Sequence, residues 1–313
     1  MAHAPIAPSD GTASWRGLSR SGLIRAGLVL VFLLASVALL APWIAPHSPL
    51  TQFEAGLDRD GMPRPPSLRF LLGTDSLGRD VLSRTLHGAR ISLVVGGVAM
   101  LAATAIGSMV GLLSGFFGRW VDASLMRVTE IVMALPALLL AIAFAGLMDG
   151  RVAHLHPGFL PMHFLDLKLE RGLVGVLLVI GLVSWTGAAR VVRAQVLSVK
   201  EFEFVHASRA LGGSSVRILF RHVLPNVIPT VLVLATMNTA ATIGLEAGLS
   251  YLGVGVPPPS PSWGGMISEG QPYLIVAPWL VLPPGLAVVT AVVAFNLLGQ
   301  GLQDALDPRA GAR

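Results

Sequence analysis

The chain has 313 residues, of which 53% are hydrophobic and 12% are charged, and its formal net charge is +5. Soluble domains carry about 25% charged residues, so this composition excludes an ordinary water-soluble fold. The mean hydropathy of +0.72, together with several uncharged runs long enough to cross a bilayer, predicts an all-α, polytopic membrane protein. Cysteine is absent, which excludes disulfides and thiolate catalysis.

The N-terminal region is predicted to hold one membrane span followed by a long external loop. Residues 1–22 are polar and are predicted to be a cytoplasmic tail, and residues 23–46 the first transmembrane helix. This apolar stretch exceeds the roughly 7 to 15 residues of a signal-peptide core, which favours retention, although small residues such as Ala35 and Ala38 leave cleavage open. Prolines and charges predict an external loop with little regular structure at 47–90.

The external loop ends in the string LGTDSLGRDVLSR at 72–84. Asp75 and Asp80 are candidate helix caps, and Arg79 or Arg84 could pair with them near the membrane surface. Both a structural role and contact with a transported solute are open for these charges, and the structural role is favoured.

A five-helix core is predicted at 91–303, and its first span runs over 91–117 without a charge. Gly107, Gly111 and Gly115 recur at four-residue spacing in that span. Small residues at this spacing allow helices in lipid to approach closely. We therefore expect a tight helix contact on that face.

The third span is predicted from about residue 124 to 147, and Pro136 lies in its middle, where it is expected to kink the helix. Arg127 and Glu130 are three positions apart near its start. They are either an interfacial ion pair or, for Glu130, part of a gate or solute pathway.

Three histidines lie in the second predicted external loop, residues 149–171: His154, His156 and His163. Such a group could bind a divalent metal, but no cysteine and few acids accompany it. Solvated side chains are the favoured interpretation, and no metal site is predicted.

A fourth span at 172–192 leads into a polar loop at 194–222, within which the stretch from Glu201 to Pro225 is the most informative part of the chain. Two glycines, Gly212 and Gly213, predict a corner between two short helices, with a serine capping the second helix. We call this stretch the hairpin segment. Its first helix has apolar residues at helical spacing: Phe204, Ala207 and Leu211.

The fifth span is predicted from residue 223 to about 249, and Pro225 and Pro229 loosen its start, which suggests a hinge. Glu246 is the sole charge in this span. A lone carboxylate in a membrane is a functional candidate, and Glu246 is either a gate or solute contact or a hydrogen-bonded anchor.

The C-terminal region begins with a proline-rich external lip at 256–264, which includes Trp263. The last span is predicted over 278–302 and a cytoplasmic tail over 304–313.

The hairpin segment resembles the signature loop of ATP-binding-cassette (ABC) importer permeases, which has an EAA triplet, a glycine four residues later and a Leu-Pro ending. The triplet position holds His206, Ala207 and Ser208, with His206 in place of the usual glutamate. In that family the loop lies in a groove of a separate ATPase subunit. The resemblance implies a set of ATPase-coupling residues: Glu203, Val205, His206, Ala207, Ser208, Arg209, Gly212, Leu224 and Pro225.

Further strings resemble the dipeptide/oligopeptide/nickel branch of that family, namely 72–84, LEAGLSYLGVG at 245–255, PSWG at 261–264 and DALDPR at 304–309. The branch implies the type I importer permease fold with six transmembrane helices. It also implies an external loop motif formed by Asp75, Gly78, Arg79, Asp80 and Trp263.

The resemblance implies a permease subunit in the bacterial inner membrane, with both termini cytoplasmic and no nucleic-acid partner. Its expected partners are the lipid bilayer, a homologous second permease, two cytoplasmic ABC ATPases and an external solute-binding protein. The chain has no Gly-x-x-x-x-Gly-Lys-Ser/Thr loop, so ATP would be bound and hydrolysed by the ATPases. We therefore expect no cofactor, no catalytic residue and no enzyme activity in this chain.

An alternative from another class is an ion-coupled carrier without an ATPase, with Glu130 and Glu246 as titrating groups.

The distribution of positive charge is an objection to the proposed orientation. Thirteen Lys and Arg fall in inferred cytoplasmic segments and nine outside, and six of the nine lie between Arg59 and Arg90, against the positive-inside rule. The transported solute, whether dipeptide, oligopeptide, nickel complex or another small molecule, stays open.

Overall fold

The computed structural model describes residues 21–306, apart from 137, 141, 144–170 and 257. Over these residues the fold is helical, without a β-strand and with isolated bridges at Leu57–Pro63 and Thr74–Asp80. The α-helices described, in chain order, are α1 (Gly22–Ile44), α2 (Val81–Phe117), α3 (Arg119–Ala134), α4 (Arg171–Val199), α5 (Glu203–Ala210), α6 (Ser215–Ile218), α7 (Leu224–Tyr251), α8 (Trp263–Gly270) and α9 (Leu282–Leu306).

Four helical stretches in the described part are long and apolar enough to cross a membrane: Gly22–Ile44, Val81–Phe117, Ser215–Tyr251 and Pro278–Leu306. The described part of the chain is helical, as predicted, and its long apolar helices agree with a membrane protein. The end of the predicted third span, from residue 144, and the loop that carries His154, His156 and His163 lie outside the described residues.

Helix α2 packs against α4 along the glycines that the sequence singled out. A Cβ atom at Gly111 would lie 2.5 Å from the Ala189 carbonyl oxygen, and one at Gly115 would lie 2.8 Å from Val196 Cβ. At Gly107 the carbonyl of Trp185 occupies the same space. The predicted close helix contact is present, and α4 is its partner.

Helix α2 begins at Val81, ten residues before the predicted start of the span, and so replaces the end of the predicted 47–90 loop. The Asp80 side chain caps it by accepting a hydrogen bond from Ser83 N at 3.0 Å. Arg84 lies in the first turns and is buried, because ion pairs neutralise its charge. The rest of the loop is also more ordered than predicted, since Phe70 and Thr74 are buried.

Helix α3 ends at Ala134, next to Pro136. Leu135 has extended backbone angles of φ −87° and ψ 130°. The residue before a proline avoids the helical region for steric reasons. The helix therefore ends before Pro136, which is a stronger effect than the predicted kink.

Candidate functional site

The hairpin segment consists of α5 and α6, which meet at a glycine corner. Gly212 has a φ of +80°, which a residue with a side chain adopts only at a cost. Ser214 caps α6, since its hydroxyl accepts a hydrogen bond from Arg217 N at 3.3 Å. The two short helices predicted from the sequence are present.

One side of the hairpin segment is anchored in the protein core. Val205 of α5 is wholly buried, as is Ile218 of α6. Both belong to one apolar cluster that joins α4, the hairpin segment and the start of α7. Its members are Val192, Val196, Val199, Val205, Ile218, Leu219, Val223 and Val227.

The opposite side of the hairpin segment is apolar and exposed. Leu211 has 88% of its surface exposed, and the exposed large apolar residues of this segment are Phe202, Phe204, Leu211, Val216 and Phe220. Three arginines accompany them on the surface: Arg209, Arg217 and Arg221. The apolar spacing of Phe204 and Leu211 therefore marks the exposed side, while Val205 marks the anchored side.

The other predicted coupling residues lie mostly at this surface. Those that are exposed are Glu203, His206, Ala207, Arg209, Gly212 and Pro225, and Ser208 and Leu224 are half-buried. The His206 Nε2 atom lies 3.5 Å from Glu201 Oε2. A carboxylate is thus present beside the position where the ABC permeases have a glutamate.

A wide helical turn of the π type, Leu219–Val223, separates α6 from α7. Such turns interrupt the regular hydrogen-bond ladder and are frequent at functional sites. Of the two prolines where the sequence predicts a hinge, Pro225 lies in the first turn of α7 and Pro229 lies inside that helix. The irregular backbone precedes them, and nothing in the sequence pattern marks a π turn.

The LGTDSLGRD string, which directly precedes α2, forms a network of charges with the start of that helix. Asp75 Oδ2 lies 2.6 Å from Arg79 Nε and 3.3 Å from Arg84 Nε. Glu269 Oε2 accepts from both arginines, at 2.8 Å from Arg79 Nη2 and 2.9 Å from Arg84 Nη2. Gly78 takes a φ of +72° in the preceding turn. This geometry agrees with the structural role that is favoured for these charges.

Sequence reasoning missed Glu269, which lies at the end of α8. The available signal was the excess of arginine between Arg59 and Arg90. Buried arginines need acidic partners, and Glu269 is the one acid in the sequence between residues 256 and 278.

Trp263 joins α8 to α2, and Glu246 is buried within α7. The Trp263 indole Nε1 donates to the Thr85 carbonyl at 3.0 Å, and its backbone N–H to Ser92 Oγ at 3.3 Å. Glu246 is wholly buried, and its Oε1 accepts from Ser250 Oγ at 2.8 Å. The second oxygen, Oε2, is buried without a hydrogen-bond partner among the described residues. The two alternatives for Glu246, an anchor and a gate or solute contact, both stay predictions.

Glu130 has different surroundings from Glu246. Its side chain is 65% exposed and lies 3.3 Å from Arg127 Nη1, which is the pairing that the spacing suggested. Over the residues described, no group of three His, Cys, Asp or Glu side chains is arranged to hold a metal ion. The three loop histidines are not among those residues.

Comparison with known proteins gives consistent matches along the chain. Residues 107–311 match the family described as "Binding-protein-dependent transport system inner membrane component". Residues 11–63 match the "N-terminal TM domain of oligopeptide transport permease C".

Two similar relatives are transport permeases by name. The chain is 38% identical over 310 residues to the di/tripeptide transport system permease protein DppC of Pseudomonas aeruginosa (strain UCBPP-PA14), covering 97% of this chain and 94% of the relative. It is 37% identical over 295 residues to the glutathione transport system permease protein GsiD of Escherichia coli O6:K15:H31, covering 94% and 89%. These matches favour the transport-system permease over the ion-coupled carrier.

Proposed function

The chain belongs to the binding-protein-dependent transport system inner membrane components, and from this membership we propose how it works as the permease subunit of an ABC importer. The observation that carries the proposal is the two-sided hairpin segment. One side is anchored in the core through Val205, and the other exposes apolar side chains.

The exposed side fits a helix-in-groove contact with a cytoplasmic ATPase subunit. An amphipathic helix binds such a groove through apolar anchors at helical spacing, here Phe204 and Leu211. Ala207 and Ser208 are small and allow a close approach. The arginines of the segment suit a groove with an acidic rim.

The anchored side can pass motion from the ATPase to the membrane helices. Val205 packs with residues at the end of α4 and the start of α7. Because close-packed side chains transmit displacement rather than absorb it, closure of the ATPases would move both helices. Paired permeases would then switch which side of the bilayer is open.

The cargo proposed is a short peptide or a similar small solute. Two relatives that cover most of the chain carry names for di/tripeptide and glutathione transport. The peptide bond is common to these molecules, so peptide chemistry is the class that the relatives support. The external binding protein would deliver the cargo.

Six spans with both termini in the cytoplasm form part of the same proposal. Four candidate spans are present, and the predicted third span, which begins within α3, together with α4 would complete the six. Two of the six arginines between Arg59 and Arg90 carry less weight against this orientation than their charge suggested. Arg79 and Arg84 are paired with Asp75 and Glu269, so they do not act as free positive charges.

The proposed complex contains a homologous second permease, two ATPases and an external binding protein. ATP would be bound and hydrolysed by the ATPase subunits, and this chain would use no cofactor of its own. The missing Gly-x-x-x-x-Gly-Lys-Ser/Thr loop supports this division.

Phe204→Asp and Leu211→Asp test the docking side. Both residues are exposed, so each variant should fold, while a charge in the apolar contact should weaken ATPase binding by about tenfold or more, equivalent to about 1.4 kcal/mol. The measurement is the amount of ATPase subunit that co-purifies with the permease, together with ATP-dependent dipeptide uptake.

Leu68→Asp is the matched control, because Leu68 is fully exposed but lies in the segment before α2. We expect normal co-purification for this variant. Unchanged co-purification and uptake in both hairpin variants would contradict the proposal.

A further inference from the structure

One carboxylate, that of Asp122, joins three helices beside the hairpin segment. Asp122 lies in the first turn of α3, and Arg193 of α4 binds it through two hydrogen bonds, from Nε to Oδ1 and from Nη2 to Oδ2, each 2.6 Å long. The Ser114 hydroxyl of α2 donates to Oδ1. The Arg193 hydrogen bonds hold the pKa of Asp122 below its usual range, so the carboxylate is ionised at neutral pH.

Other contacts fix the same ends of α2 and α4 to each other. Lys200 Nζ, just after α4, donates to the Gly115 carbonyl at 3.2 Å. At Gly111 and Gly115 the helices touch so closely that a Cβ atom would collide with the partner. This contact leaves α2 and α4 little room to slide past each other.

The connection from the hairpin segment to α7 is of a different kind. It runs through the π turn Leu219–Val223 and the apolar cluster. No ion pair within the described ranges links α6 or α7 to α2, α3 or α4. Apolar contacts are non-directional, whereas a bidentate arginine–carboxylate pair fixes distance and orientation.

We propose that Asp122 and Arg193 are positioning residues that make the corner between α2 and α3 move as one body with α4 and the hairpin segment. A displacement imposed on the hairpin segment passes through this pair into α2 and α3, while the apolar cluster carries it into α7. The inference rests on the proposed function, because it needs an ATPase that drives the hairpin segment.

Asp122→Ala and Arg193→Ala test the pair through the amount of solute taken up per ATP hydrolysed. The exposed hairpin surface is intact in both variants, so ATPase co-purification and ATP hydrolysis should stay near wild type. Uptake of a labelled dipeptide per ATP should fall by about tenfold. The double variant should fall no further than either single variant, because the two residues act as a unit.

Arg127→Ala is the matched control, since it breaks an exposed ion pair on the same helix, α3. Its uptake per ATP should equal that of the wild type. If Asp122→Ala yields no assembled complex, Asp122→Asn replaces it, because the amide keeps the volume and a hydrogen-bond acceptor but loses the charge.

Failure of the proposed function and failure of this inference alone give different results. A wild-type complex without an ATPase subunit would overturn the proposed function and this inference together. A wild-type complex that couples normally, with unchanged uptake per ATP in the Asp122 and Arg193 variants, would overturn this inference alone. A fall in uptake strictly proportional to lost ATP hydrolysis would also overturn it, because that result indicates a purely structural role.

Discussion

Adjacent residues of α5 have opposite surroundings, and this difference defines the candidate site. Val205 is wholly buried, whereas Phe204 is 41% exposed. Successive side chains on a helix point about 100° apart, so neighbours in sequence reach different surfaces. The sequence could mark both residues as apolar, but only their packing separates the anchor from the docking residue.

Val205→Ala and Phe204→Ala should therefore have different effects. The first removes buried methyl groups and leaves a cavity, and we expect a loss of about 1 to 3 kcal/mol in the free energy of unfolding. The second should leave stability within about 0.5 kcal/mol but reduce ATPase binding. Thermal unfolding in detergent and co-purification measure the two effects. Equal stability losses in the two variants would contradict the assignment of Val205 to the anchored side and Phe204 to the docking side.

At the scale of elements, the glycine spacing of α2 correctly predicted a close helix contact, whereas the charges near its start led to a wrong helix boundary. Gly107, Gly111 and Gly115 predicted a close helix contact, because only small residues let helix backbones meet. The start of α2 at Val81 was missed, since the arginine in its first turns argued for a water-exposed loop. Partners distant in the chain neutralise that arginine.

Gly111→Val tests the contact between α2 and α4. The added side chain would meet the Ala189 carbonyl, and such overpacking costs about 1 to 3 kcal/mol. Gly97→Val on the same helix is the control, because nothing lies within 4 Å of its Cβ position. The yield and melting temperature of each purified variant provide the measurement. Equal melting temperatures would exclude a close contact at Gly111.

At the scale of the whole molecule, the charge network connects segments about 190 residues apart in the chain. Glu269 at the end of α8 holds Arg79 and Arg84, which lie before and within α2. Both arginines are nearly fully buried, whereas the Glu269 side chain is 32% exposed. The network therefore fixes α8 against the start of α2.

Glu269→Ala should destabilise the protein, because it leaves two buried guanidinium groups with one carboxylate. Removing one partner of a buried pair costs about 3 to 5 kcal/mol, and the exposure of Glu269 places the expected loss at or below the lower end of that range. Asp60→Ala, at an exposed acid before α2, should be neutral. Chemical unfolding curves for the two variants measure the difference, and equal midpoints would show that the network does not stabilise the fold.

The sequence by itself determined the class of fold, the interruption at Pro136 and the family, because apolar run lengths, a proline within a span and motif spacings are local properties of the chain. It also located the hairpin segment, since its glycine corner and serine cap depend on neighbouring residues. Only the tertiary structure decided that Val205 is the anchor, that Glu269 joins Arg79 and Arg84, and that Asp122 binds Arg193. Those contacts join residues far apart in sequence, so they depend on how the helices pack.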